Sequence, residues 1–393
     1  MCGPFRGLTG YDHHVREFVR ELARQGVAVE LSNLPLWSPR SLPRPLRDPW
    51  FETLCRPVDA TTVLHFCMPH QVRSHPDRRN VNFSMFEATP APADWIAYNR
   101  QHDHVIVPTE SSRQAWVSGG LPEEHVSLCP LGVNPEVFGR PAGPLPLRVA
   151  NSDAVAERRV RFLNVSEIGA RKNLIGLLRT WLKATCAADD AVLILKIGHT
   201  GEAQRTDFQR QADALRLEGG KRLVEAAPVC FLYDIYSDSE MPRLYASATH
   251  YLSMSFGEGW DQPAMEAAAS GLRLIVPRHS AYTAYLEDRT AMLTTSRSVP
   301  VEWNGDAATG GLFAGARWWS PDEDEAARYI RDAIEGRDAG KATPQSRVLS
   351  DFTWAKAVTR LREILDGFEP RRRFWRFWST TDRLPARIAS KGR

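Results

Sequence analysis

The chain has 393 residues, 43% of them hydrophobic and 25% charged, enough apolar material for two cores, so neither disorder nor a disulfide scaffold is needed to explain folding. The net charge of +3 gives no general pull toward nucleic acid, and the excess is local: residues 371–393 hold eight Lys/Arg against one acid, Asp382. The six cysteines lie far apart without C-x-x-C, as free thiols of a reducing compartment do, no zinc spacing occurs, and neither a signal pattern nor an apolar run near the roughly 20 residues of a membrane span is present, so the expected location is cytoplasmic.

The chain opens Met1-Cys-Gly-Pro-Phe-Arg-Gly-Leu-Thr-Gly10, a glycine-rich turn with almost no strand before it. The first strand is therefore very short or absent, the start truncated or the edge completed otherwise. Val15, Phe18, Val19 and Leu22 follow at helical spacing, closed by Gly26. Strands are predicted at Val27–Leu31, Thr61–Phe66, Val81–Phe86, Val105–Val107 and Val126–Cys129. The glycine- and proline-rich stretch from Gly139 to Pro146 continues neither a helix nor a central strand and reads as a linker. Beyond it, strands are predicted at Phe162–Val165, Ala191–Ile197, Val229–Leu232, His250–Ser253 and Leu272–Val276. This alternation predicts an α/β protein with two Rossmann-like, doubly wound domains, 1–140 and 158–365. A linker at 141–157 joins them, and a C-terminal helix and basic aromatic tail fill 366–393. Ligands of such sheets bind outside the carboxyl ends of the strands, which puts a cleft between the domains.

The densest chemistry lies between Ser253 and Pro277. A strand ends near Ser253, a glycine-flanked loop carries Glu258, Pro263 suits a first helical turn, and Gly271 closes that helix before a buried strand. Glu258 on the loop and Glu266 in the first turn are predicted to face an open crevice, beside helix-start N–H groups that attract phosphate. The bland reading, two helix-start charges favouring the dipole, stands beside this one.

This stretch resembles the E-x7-E signature of retaining glycosyltransferases of GT-B architecture, the large family that includes sucrose and bacterial polysaccharide enzymes. The resemblance extends to Val107–Arg113, Pro130–Phe138, Met241–Ala248 and Phe352–Trp354, in the family's order across most of residues 3 to 365. It implies two Rossmann-like domains, an interdomain cleft and a C-terminal crossover helix. It implies that Glu266 accepts hydrogen bonds from the donor ribose, that Glu258 contacts hydroxyls of the transferred sugar together with backbone N–H groups around Gly257 and Gly259, and that Trp260 belongs to the same donor-binding loop. Lys172 matches the family's phosphate-binding lysine. The arginine position holds Glu167, a departure that Arg171 is placed to compensate, because a guanidinium grips phosphate oxygens in a fork. The turn with Gly7 and Gly10 resembles the one where the acceptor domain nears the donor phosphates. Asp261 and Gln262 stand where the family more often has Gly-Leu or similar. Glu87 and His65 are placed on the acceptor side.

The implied reaction is a front-face displacement with retention of configuration, catalysed by Glu258, Lys172 and Arg171. The donor is a UDP- or GDP-linked sugar and the acceptor a sugar or lipid-linked sugar, as in cell-surface polysaccharide or glycolipid assembly. No separate cofactor is called for, and no D-x-D loop calls for a metal. Residues 371–378, Arg-Arg-Arg-Phe-Trp-Arg-Phe-Trp, mix cations with aromatics and suit peripheral membrane contact or packing of the last helix. Two alternatives stand beside this reading: a nucleotide-sugar epimerase of related fold, and an inactive nucleotide-sugar-binding protein.

Overall fold

The computed structural model describes residues 1–35, 37, 40–149, 155–198, 201–303 and 305–368. Two six-stranded parallel sheets carry the fold. The first runs β2-β1-β3-β4-β5-β6, from β1 (Cys2–Gly3), β2 (Ser32–Asn33), β3 (Thr62–Phe66), β4 (Arg79–Phe83), β5 (His104–Val107) and β6 (Val126–Leu128). The second is ordered β12-β11-β10-β7-β8-β9, from β7 (Val160–Glu167), β8 (Ala191–Gly198), β9 (Val229–Leu232), β10 (His250–Leu252), β11 (Arg273–Pro277) and β12 (Met292–Thr294). Its order reverses between β7 and β10, which pair directly through Phe162–His250 and Leu163–Tyr251. Helices cover both faces, which is why β8 is apolar on consecutive residues, with Ala191 to Ile197 all buried.

The first strand is the very short one of the alternatives: Cys2 and Gly3 bridge β2 and β3. Because β2 can pair only with that two-residue neighbour, Val27–Leu31 is not a strand and the ladder forms one step later, at Ser32–Asn33. The edge strand β12 and the antiparallel hairpin β13 (Ser296–Pro300) with β14 (Arg317–Pro321) are further additions, too short or too polar to show by periodicity.

The helix Gly10–Arg24 starts at Thr9, whose hydroxyl accepts from Asp12 N while the Asp12 carboxylate accepts from Thr9 N, a reciprocal cap. Val15, Phe18, Val19 and Leu22 are buried on one face, as their spacing requires. Across this face lies the last helix, Trp354–Asp366, N-capped by Thr353. It follows the second sheet in sequence but packs on the first lobe. Trp354 meets Phe18 at 5.4 Å between ring centroids, and Arg360 Nε donates to Leu128 O. Gly132 is the tight point, since a Cβ there would overlap the backbone of Thr353 and Trp354. This is the crossover helix. The basic aromatic segment 371–378 lies outside the described residues.

The linker is partly fastened to the second lobe. Leu145 N donates to Ser247 Oγ, Arg243 reaches Gly143 O and Pro144 O, and Leu145 and Leu147 are buried. These contacts fix residues 143–147 on the second lobe.

Candidate functional site

The site forms where β7 and β10 end. After β7 the chain makes a short 3-10 turn, Ala170–Lys172. Asn173 then adopts a left-handed conformation (φ 49°) and caps the helix Leu174–Ala184 by accepting from Gly176 N. This presents Arg171 and Lys172 together. After β10, the loop through Gly257 and Glu258 runs into the helix Gln262–Ala269, with Pro263 in its first turn and Gly271 (φ 84°) just past its end. Glu266 is the fifth helical residue, so it lies in the second turn rather than the first.

The structure brings Arg171, Lys172 and Glu258 into one cluster. Arg171 Nη1 donates to Glu258 Oε2 at 2.6 Å, and Lys172 Nζ donates to both carboxylate oxygens at 2.8 and 3.0 Å. Arg171 also donates to Gly257 O at 2.7 Å and faces Glu87 at 3.8 Å. Burial alone would raise the Glu258 pKa, but Arg171 and then Lys172 outweigh it and hold the carboxyl down to about 2. Glu87 lacks such close partners, and its burial pushes its pKa up despite Arg171.

The loop is braced from below by residues that the sequence did not single out. Glu258 N donates to Ser280 Oγ, and His279 joins Ser280 Oγ to Ser255 O. Burial lowers the His279 pKa to about 4, so at neutral pH one ring nitrogen donates to Ser255 O and the other accepts from Ser280. The signal for these residues is three-dimensional: they belong to the turn after β11.

Glu266 sits apart from the cations. Tyr245 Oη donates to its Oε2 at 2.8 Å and Gln262 Nε2 to its Oε1 at 3.3 Å. Burial dominates those bonds and raises the pKa to about 8, so the group is largely protonated at neutral pH. His13, from the first turn of the opposite lobe's helix, approaches Glu266 Oε1 to 3.8 Å, and burial lowers the pKa of that imidazole. With neither partner charged, this is a neutral contact across the lobes rather than an ion pair.

Several expectations need correction. Glu258 and Glu266 do not face an open crevice: they are 4% and 6% exposed. The lobes meet over them. A Cβ on Gly257 would overlap Glu87 O, one on Gly259 would lie 2.8 Å from Met85 Cβ, and Thr89 and Arg317 exchange backbone hydrogen bonds. Trp260 is 2% exposed and packed near Tyr285 and Phe352. The Gly7 N–H is taken by Asp12 Oδ1 at 2.6 Å and is not free for a phosphate. Gly10 starts its helix with room for a Cβ, the nearest atom being a His14 ring carbon at 3.9 Å. His65 is buried, bonded to Asn80, and does not join the cluster, whereas Glu87 does.

No family model matches the chain, and no curated protein matches it in sequence. Solved structures do match in fold. Anabaena Alr3699/HepE, solved in complex with UDP and glucose, aligns with TM-score 0.62 at 13% identity, covering 93% of this chain and 99% of its own. The α,α-trehalose 6-phosphate synthase of Burkholderia multivorans aligns at 0.52 and 14% identity over 80% of this chain and 74% of its own. An E. coli trehalose-6-phosphate protein bound with UDP-2-fluoro glucose aligns at 0.55 and 14%, over 78% of this chain and 73% of its own. The chain thus has the GT-B architecture, two Rossmann-like lobes closed by a crossover helix.

Proposed function

We propose that the protein is a retaining, metal-independent glycosyltransferase that moves a sugar from a nucleoside-diphosphate donor to a hydroxyl acceptor. The lobe of residues 1–140 would receive the acceptor and that of 158–365 the donor. The observation that carries the reading is the convergence of Arg171, Lys172 and Glu258 at the carboxyl ends of β7 and β10, the point of strand reversal where open α/β sheets bind ligands. The UDP and UDP-sugar complexes among proteins of similar fold support the choice of ligand.

The chemistry follows from charge. Breaking a glycosyl-phosphate bond builds negative charge on the departing diphosphate, and two fixed cations in a buried site stabilise it without reorganising. In the closed structure Glu258 takes the place of that anion. A donor entering between separated lobes offers its diphosphate to Arg171 and Lys172, and Glu258 is released toward hydroxyls of the sugar. Glu266, held by Tyr245 and Gln262, is left to meet the ribose. The leaving phosphate accepts the proton of the attacking hydroxyl on the same face, so configuration is retained without an enzyme nucleophile. Cell-surface polysaccharide or glycolipid assembly at the inner membrane face is the setting that fits a lipid-linked acceptor.

One observation favours a second reading, an inactive binding protein: Glu258 already satisfies both cations with the lobes shut. Incubation with UDP-, GDP- and ADP-linked sugars and a panel of sugar acceptors separates the two. Acceptor-dependent release of nucleoside diphosphate, with the donor's anomeric configuration preserved by NMR, is the expected result. Binding without turnover would favour the second reading, and epimerised donor would favour a nucleotide-sugar epimerase.

A further inference from the structure

Asp261 is a residue that the mechanism above does not use, and its position is costly in three ways. Its backbone is left-handed (φ 56°, ψ 68°), a region that glycine occupies freely and aspartate tolerates at a cost. It precedes the helix Gln262–Ala269 yet makes no side-chain cap, so the ordinary reason for an aspartate at a helix start does not apply. Its carboxylate is 6% exposed and only half satisfied: Oδ2 accepts from Tyr282 Oη at 2.6 Å, while Oδ1 has no partner. Tyr282 is itself fixed by Ser253 Oγ at 2.7 Å.

The location restricts what the free oxygen serves. Asp261 feels the charges of Glu258, Lys172 and Arg171, and burial followed by Glu258 raises its pKa to about 6. The Tyr251 phenol of β10, which donates to Val165 O of β7, is perturbed by burial and then by Asp261. Through Tyr282 and Ser253, Asp261 is tied to the end of β10, three residues beyond Glu258. An acceptor oxygen beside Glu258 repels a phosphate and suits an O–H donor. Buried polar atoms left without partners, on strained backbone, gather at sites completed by ligand.

We propose that Asp261 is a specificity-determining residue, whose Oδ1 accepts a hydrogen bond from one hydroxyl of the transferred sugar. The assignment rests on the donor-binding reading above and deepens it. The site then selects sugars bearing a hydroxyl at one ring position and disfavours their deoxy counterparts, by about 10²-fold for a hydrogen bond to a charged group.

The test uses the full chain with the nucleotide sugar it turns over, and a series of that donor lacking one hydroxyl at a time. Wild type, Asp261→Asn and Asp261→Gly are compared. Glycine relieves the left-handed backbone, and asparagine keeps a Tyr282 acceptor, so both variants are built to fold. Expected is one ring position at which deoxygenation lowers wild-type kcat/KM about 10²-fold and lowers that of Asp261→Gly little. An equal penalty at every position in all three proteins would overturn the proposal. Where a donor binds without turnover, calorimetric affinities for the same series read the same coupling. If no nucleotide sugar binds at all, the donor reading falls first and this assignment with it.

Discussion

The ion cluster makes a quantitative prediction through Glu258→Gln. The substitution keeps size and hydrogen-bonding capacity but leaves Arg171 and Lys172 buried without their shared anion. Removing one partner of a buried pair costs about 3–5 kcal/mol. The lower end applies because Arg171 retains Gly257 O at 2.7 Å and Glu87 at 3.8 Å. The fall of the Glu258 carboxyl from an ordinary 4.5 to about 2 gives a similar figure, roughly 3 kcal/mol at about 1.4 kcal/mol per pH unit. The sign follows from linkage: a depressed carboxyl pKa stabilises the fold above pH 4.5 and loses that contribution as pH falls through about 2. The variant should therefore unfold more easily than wild type at neutral pH, with the gap shrinking in acid. UDP should reverse the order of binding: the variant has no carboxylate to displace, so UDP binds it more tightly, and at 100 times Kd ligand returns about 2.7 kcal/mol. Urea unfolding from pH 7.5 down to pH 2.5, with and without UDP, together with calorimetry, reads all of this. A variant as stable as wild type, or one that binds UDP with unchanged Kd, would refute the reasoning.

Three more outcomes are expected. Lys172→Ala should lower kcat by about 10²–10³, the usual loss for one donor to a developing anion, and steady-state kinetics with kcat unchanged would remove Lys172 from the site. Glu266→Gln should flatten the stability profile above pH 4.5. A carboxyl raised to about 8 binds more protons folded than unfolded, so wild type loses stability as pH rises from 4.5 toward 8, and denaturant melts across that window measure the difference. Gly257→Ala places a Cβ on Glu87 O and should hold the lobes apart, seen as a larger radius of gyration by small-angle scattering.

What the sequence revealed follows from which interactions are local. The helix under Thr9 and the strands of the second sheet other than its edge strand β12 were legible because caps and apolar runs are written in neighbouring residues, and Gly271 and Pro263 mark their helix for the same reason. The strand predicted at Val27–Leu31 failed because its apolar residues say nothing of how short its neighbour β1 is. The packing of Trp260 was not legible, because its motif fixes the loop but not which way the ring turns, and the Tyr285 and Phe352 beside it come from distant parts of the chain. Glu87 was named on its own, and only the meeting of the lobes places it against Arg171.

The same distinction explains why the crevice expected from the motif is shut. Two cations after β7 cannot be buried alone, because each unpaired charge would carry several kcal/mol of desolvation. Glu258 neutralises them, and with that charge cancelled Glu87 and Met85 of the opposite lobe press onto the loop while Thr89 pairs with Arg317 of β14. On the proposed reading, opening exposes the cations to a diphosphate, which is the better partner because it offers more acceptor oxygens than one carboxylate. Lobe separation and donor capture should then be linked, with UDP holding the protein open at the Gly257–Glu87 contact until the sugar hydroxyls engage Glu258.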